Sequence, residues 1–255
     1  MEQRVEILKR AAEAAGRVLS NGFRQTLHID QKGELDLVTD IDRAAERAIL
    51  DILDAEVPED TIVAEESGRR EGSNRFKWII DPLDGTTNFA NGFPHFSVSI
   101  GLMETGLLRA GIVFDPIKDE WFEAHRGKGA TLNGRMIRVG EKTSLAEALG
   151  VTGFSYDRRE RMPELLARVE SFLMHTRGLR RLGSAALDLC YVACGRFDVF
   201  LEDGLNAWDM AAGCLIVEES GGILSRLNGK PFDVDGGEVI ACNTHLARIV
   251  RAHIR

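Results

Sequence analysis

Trp78-Ile79-Ile80-Asp81-Pro82-Leu83-Asp84-Gly85-Thr86-Thr87-Asn88-Phe89 decides how this 255-residue chain is read. An apolar strand runs straight into a carboxylate at Asp81. Pro82 has no N–H to donate, so the strand ladder is predicted to stop there. Asp84 follows across the turn, Gly85 allows backbone geometries closed to other residues, and Thr86-Thr87 suit the start of a helix. Such a turn gathers two carboxylates and several unpaired N–H groups around one pocket. Hard divalent cations prefer oxygen ligands and phosphate prefers helix N-termini, so one segment could hold both halves of a metal–phosphate complex. A lone D-x-x-D also fits a strand-to-helix turn in which the two aspartates merely cap the helix.

Three further acidic segments favour the first reading. Ile62-Val63-Ala64-Glu65-Glu66-Ser67 delivers another carboxylate from the end of an apolar strand, and Ala207-Trp208-Asp209-Met210-Ala211-Ala212-Gly213 opens a helix of small or apolar residues with an aspartate. Asp36-Leu37-Val38-Thr39-Asp40-Ile41-Asp42 sets Asp42 at the head of a helical pattern. Were these groups to converge, each pair of like charges ~4 Å apart would cost roughly 4 kcal/mol at an effective dielectric near 20, and bound cations would relieve that repulsion.

Outward from the signature, helical spacing predicts helices over 3–22, 40–53, 163–174, 184–194 and 206–220, with a last helix from about Thr244. Strands are predicted over 61–64, 78–80, 96–102, 108–113, 197–201 and 239–241, and 127–134 reads as turns between short strands. No repeat, low-complexity tract or long linker interrupts the pattern. The expectation is one catalytic domain over 1–255, with an N-terminal α+β half to about 143 and a C-terminal α/β half from about 144, its helices layered against two sheets.

With 44% hydrophobic and 28% charged residues, the composition is that of a soluble globular protein. The 32 basic and 40 acidic side chains give a net charge of −8, which opposes tight binding to nucleic acid or anionic membrane. No apolar run approaches the ~20 residues that span a bilayer, and Met1–Leu19 has no signal-peptide core. Cys190, Cys194, Cys214 and Cys242 show neither zinc nor disulfide spacing and read as free thiols; a cytoplasmic setting follows. No G-x-S-x-G elbow or G-x-x-x-x-G-K-[ST] loop is present.

Taken together, five segments resemble the inositol monophosphatase family: WIIDPLDGTTN (78–88), LNAWDMAAG (205–213), AEES (64–67), KGELDLVTDID (32–42) and RRLGSAALDL (180–189). The resemblance spans nearly the whole chain, with the motifs in family order. It implies an αβαβα sandwich of the sugar-phosphatase type and lithium-sensitive hydrolysis dependent on two or three Mg2+ ions. It implies as metal ligands Glu65, Asp81, the Leu83 carbonyl, Asp84 and Asp209, with Asp81 bridging. Glu65 and the Thr86–Asp42 pair would orient the attacking water. Asp84, Gly85, Thr86, Gly183, Ser184, Ala185, Glu202 and Asp209 would face the substrate, and Lys32 aligns with a loop lysine near the site. Ser184 stands where threonine is also common, which keeps the hydroxyl.

The leading substrate implied is a small polyol phosphate, myo-inositol monophosphate first, acted on by a homodimer. Fructose 1,6-bisphosphate, histidinol phosphate, sugar 1-phosphates and nucleotide phosphates are alternatives on the same scaffold, because specificity lives in the loops. The alternative of another class is an interaction scaffold in an RNA-processing complex, for which a broken ligand set or a basic patch would speak. Here every ligand position is filled and the charge is negative.

Overall fold

Side chains along Phe76–Asp84 alternate between two cores, Trp78 and Ile80 joining one and Ile79 the other, as a strand buried on both faces requires. The computed structural model describes residues 1–26, 28–31 and 37–253. Its helices are α1 (Glu2–Gly22), α2 (Asp40–Glu56), α3 (Thr86–Ala90), α4 (Met162–His175), α5 (Ala185–Ala193), α6 (Ala207–Glu219) and α7 (Leu246–His253). Strands β1 (Ile29–Gln31) and β2 (Leu37–Thr39) pair antiparallel beside the head of α2.

The larger sheet holds β3 (Thr61–Ala64), β4 (Gly68–Arg70), β5 (Phe76–Asp84), β6 (Ser97–Glu104), β7 (Leu107–Asp115), β8 (Glu120–His125), β9 (Gly129–Leu132) and β10 (Arg135–Met136). Their order is β10-β9-β8-β7-β6-β5-β3-β4, and β3 runs parallel to β5. The smaller sheet holds β11 (Leu149–Thr152), β12 (Gly178–Arg180), β13 (Val199–Asp203), β14 (Ile223–Ser225) and β15 (Glu238–Cys242), in the order β12-β11-β13-β15-β14.

Three cores hold five layers together, the central one surrounding the middle helices on both sides. Ile7, Leu8, Ala11, Ala15 and Leu19 of α1 recur at helical spacing and, with Ile49 and Leu53 of α2, cover the outer face of the larger sheet. Helices α5 and α6 lie between the sheets, buried on nearly every side, so both read as apolar all round. Phe172 of α4 and Val250 of α7 close the far face of the smaller sheet over Val199, Leu201 and Ile240. This is the αβαβα arrangement expected from the resemblance.

Two close approaches set how near α6 comes to the larger sheet. A Cβ added at Gly101 would stand 2.9 Å from the Ala211 Cβ, and one at Gly111 would stand 2.9 Å from the Ala212 Cα. Glycine on the strands opposite alanine on the helix brings the Asp209 turn down onto the sheet.

Pro82 does not end its strand. The ladder continues from Asp81↔Ser99 to Asp84↔Ser97, three steps on β5 against two on β6, so one extra residue is accommodated as a bulge. Strict alternation would send residues three apart to opposite faces; the bulge turns Asp81 and Asp84 to the same side. Strands such as β8, β11 and β12 also escaped the periodicity, being short or interrupted by charge.

At the far end of β3, Asp60 is fully buried and accepts hydrogen bonds from Arg4 (2.7 and 2.8 Å), from the Trp78 indole (2.8 Å) and from Asn74. Burial alone would raise its pKa, but these donors outweigh burial and hold it below the ordinary carboxylate value. A depressed folded-state pKa contributes stability above the unfolded value near 4, and that stability is lost as pH falls through the folded value. Asp60→Ala leaves the Trp78 N–H without an acceptor and Arg4 without its counter-charge. Urea unfolding at pH 7 should show a loss of about 2–4 kcal/mol, with a shallower further loss than wild type between pH 5 and 3; a variant as stable as wild type would remove Asp60 from the stabilising contacts.

Candidate active site

The bulge of β5 and the first turns of α5 and α6 meet in one cavity of about 640 Å³. There one carboxylate oxygen from each of Asp81, Asp84 and Asp209 lies within 4.8 Å of the others. Each carboxyl is fixed by local backbone. Asp81 Oδ1 accepts from the Leu83 N–H (2.9 Å), and Asp209 Oδ2 accepts from the Asn206 N–H (2.6 Å) in the capping box of α6. Asp84 is held from across the cavity by the Ser184 hydroxyl (2.6 Å) and the Ala186 and Ala185 N–H groups (2.7 and 3.3 Å). The head of α5 thus clamps a carboxylate contributed by the strand bulge.

Burial first, then the neighbouring charges of Glu65, Asp84 and Asp209, pushes the Asp81 carboxyl well above its ordinary range. Asp209 rises well above for the same reasons, burial first and then Asp84. Asp84 rises to about 6 through burial, offset in part by its hydrogen bonds from α5. Glu65 follows β3 directly; its N–H donates to the Ile80 carbonyl (3.1 Å) and its carboxyl shares a hydrogen bond with Asp81.

Gly85 adopts φ 106°, a left-handed conformation that costs glycine little, and caps α3. A Cβ there would stand 3.1 Å from the His95 carbonyl and 3.2 Å from that of Gly183, so only glycine fits the passage. Next in sequence, Thr86 places its hydroxyl 2.9 Å from Asp42 Oδ1 and 3.1 Å from the Leu83 carbonyl. Asp42 is wholly buried and closes a capping box with Thr39, whose N–H donates to Oδ2 (2.8 Å). The head of α2 therefore presents one carboxylate oxygen to Thr86 in a fixed position. Asn88 ties the turn to the opposite wall, donating to the carbonyls of His95 (2.7 Å) and Leu182 (2.8 Å).

Gly183, Ser184, Ala185 and Glu202 line the same cavity as Glu65, Asp81, Leu83, Asp84, Gly85, Thr86 and Asp209. Asp42 reaches it through Thr86, and Lys32 falls outside the described residues. Glu202 is pushed up to about 8 by burial, with Arg181 pulling the other way. A Cβ on Gly153 would collide with that carboxylate. Sequence reading missed Arg158, Arg181 and the Gly153–Tyr156 wall, all of which border the cavity. Arg181 stood inside the RRLGSAALDL motif without a role; nothing in the spacing marked the loop at 153–158.

Among the described residues no helix is long and apolar enough to cross a membrane. A model of the inositol monophosphatase family matches residues 1–255. An inositol-1-monophosphatase of Synechocystis sp. is 46% identical over 246 residues, covering 94% of this chain and 84% of the relative. A protein named Nus factor SuhB from Pasteurella multocida is 43% identical over 251 residues, covering 97% of this chain and 94% of its own. The crystal structure of extragenic suppressor protein suhB from Bartonella henselae superposes with a TM-score of 0.95 at 37% identity, over 99% of this chain and 98% of that one. A layered sandwich with a cluster of buried carboxylates at one strand end describes a metal-assisted phosphate-ester hydrolase. The chain belongs to the inositol monophosphatase family, and that membership makes it a phosphoric monoester hydrolase.

The donor set fits a hard divalent cation. Three carboxylates meet at distances a single ion can bridge, and burial together with their mutual repulsion raises the pKa values of Asp81 and Asp209 well above the ordinary range. Binding should therefore stabilise the fold: at a hundred times Kd the gain is about 2.7 kcal/mol. Thermal denaturation at pH 8 should show Mg2+ or Mn2+ raising Tm by several degrees. Asp81→Asn removes one buried like charge, so it should raise the metal-free Tm while abolishing the metal-induced increase. A metal response undiminished in that variant would place the ion elsewhere.

Proposed function

We propose that this cavity hydrolyses the phosphate monoester of a small polyol, with myo-inositol monophosphate as the leading substrate and Mg2+ as the ion. The observation that carries the reading is the three-carboxylate meeting point beside the Thr86–Asp42 pair. Asp81, Asp84, Asp209, Glu65 and the Leu83 carbonyl would hold two or three ions. Bound there, the ions supply charge neutralisation and Lewis acidity toward water and the ester.

The protein's own groups do the positioning. The Thr86 hydroxyl, its proton directed at Asp42, turns a lone pair toward the cavity, where it accepts a hydrogen bond from the attacking water. Glu65 holds the other side of that water. The Gly85 and Thr86 N–H groups bind phosphate oxygens, and fixed donors of this kind need no reorganisation as charge develops. Glu202 and the Gly183–Ala185 turn face the polyol hydroxyls. With Glu202 near a pKa of 8, its carboxyl can donate to one hydroxyl and accept from another at neutral pH. Phosphoryl transfer asks a protein mainly for such placement.

Asp81→Asn should lower kcat by several orders of magnitude with the fold intact. Thr86→Ala should lower kcat by about 10²-fold or more with little change in metal affinity, measured by phosphate release with Mg2+. Lithium at millimolar concentration should inhibit. Comparison of kcat/KM across inositol, fructose, histidinol and nucleotide phosphates ranks the substrates. The Nus-factor name borne by several relatives supports the second reading, an interaction scaffold in an RNA-processing complex. Negligible turnover of every ester by wild type, equal to that of Asp84→Asn, would favour the scaffold.

A further inference from the structure

Glu46 lies one helical turn beyond Asp42 on α2 and is only 3% exposed, on the face that carries Ala45, Ile49 and Leu53 into the outer core. An acid at such a position costs stability unless its oxygens are bonded. Residues four apart share a helix face, so the two acids reach the same end of the larger sheet. Asp42 takes the Thr86 hydroxyl there, and Glu46 Oε2 accepts the Glu66 N–H at 2.8 Å.

Glu66 is the middle residue of the tight connection between β3 and β4. Ala64 pairs with Gly68, so Glu65, Glu66 and Ser67 alone reverse the chain. Parallel pairing of Ala64 with Ile80 brings Glu65 beside Asp81, and the Glu65 N–H donates to the Ile80 carbonyl (3.1 Å). That bond fixes the peptide before Glu65. The peptide after it carries the Glu66 N–H, which Glu46 holds. Peptide units are planar, so anchoring the units on both sides leaves the Glu65 backbone little freedom to turn its carboxyl away from Asp81.

We propose that Glu46 is a positioning residue: by holding the Glu66 N–H it aims Glu65, as Asp42 one turn earlier aims Thr86. A single face of α2 then sets both groups that flank the attacking water. A buried acid in the middle of a helix thereby acts on the site through a turn 20 residues away in sequence. This rests on the phosphatase reading above for the role of Glu65, and adds a residue that touches neither substrate nor ion.

Three variants test it. Glu46→Leu keeps an apolar side chain of similar size and removes the acceptor, Glu46→Met carries the same test should the leucine variant not fold, and Glu46→Gln keeps an acceptor oxygen. In the metal-free full chain, hydrogen exchange at the Glu66 amide, followed by NMR, should be about tenfold or more faster in Glu46→Leu and near wild type in Glu46→Gln. Calorimetric titration with Mn2+ should show affinity about threefold or more weaker in Glu46→Leu and within about twofold of wild type in Glu46→Gln. Added to Glu65→Gln, the Glu46→Leu change should leave Mn2+ affinity within about twofold, because the group it aims is already gone. With Mg2+ and substrate, Glu46→Leu should lower kcat about tenfold or more at nearly constant KM, again only where Glu65 is present. A merely structural Glu46 would instead lower Tm and weaken both backgrounds by the same factor. That result, unaltered Glu66 exchange or Mn2+ affinity in Glu46→Leu, or a glutamine variant as impaired as the leucine one overturns the inference. Absence of turnover in wild type would sink the phosphatase reading, while amide exchange and the Mn2+ cycle would still decide whether Glu46 aims Glu65.

Discussion

Carboxylates that repel one another at the end of a buried strand are the constraint around which this protein is arranged. Asp81, Asp84 and Asp209 share a space small enough for one ion, and among the described residues the favourable charge nearest in effect, that of Arg181 on Asp84, does not offset their burial. Left to relax, such groups would turn away toward water. They stay because each is tied by backbone: Asp81 to the N–H two residues on, Asp209 to its own capping box, Asp84 to the head of α5. Helix N-termini supply partial positive charge as well as donors, which makes them suitable anchors for carboxylates that must also serve a cation.

The layered architecture follows from where those anchors have to be. Asp84 needs α5 and Asp209 needs α6, so both helices must point their heads at the C-terminal end of β5. They can do so only by lying between the two sheets, fully wrapped, which is why neither has a polar face. Helix α2 meets the same end of β5 from the outer layer and brings Asp42 to Thr86. Three helix heads and one strand end converge; the remaining strands hold them at fixed separations.

Much of this was legible beforehand. The acidic segments, the long amphipathic helices and the five motifs led to the layered sandwich and to the residues that line the cavity. What escaped did so for physical reasons. Pro82 was read as a terminator because a proline interrupts a regular ladder, whereas a bulge removes the need for its N–H. That misreading touched the crucial detail, since the bulge is what brings two aspartates three residues apart to one face. Arg158 and Arg181 escaped because a charged residue in a loop has no periodicity and its sequence position says nothing of which wall it joins. The capping role of Ser184 toward Asp84 was also hidden: a serine at a helix start is ordinarily read as bonding its own helix, as this one also does through Leu187.

The glycine–alanine seam between the larger sheet and α6 acts as a ruler for the chemistry. Because Gly101 and Gly111 touch Ala211 and Ala212 across so short a gap, the depth at which Asp209 enters the cavity is written into four small residues that do not line it. Drift in that seam toward bulkier residues would be felt as a misplaced ligand before it was felt as a weakened core. Diversification of this scaffold is thereby steered to the 153–158 wall, where sequence can change without moving the ruler.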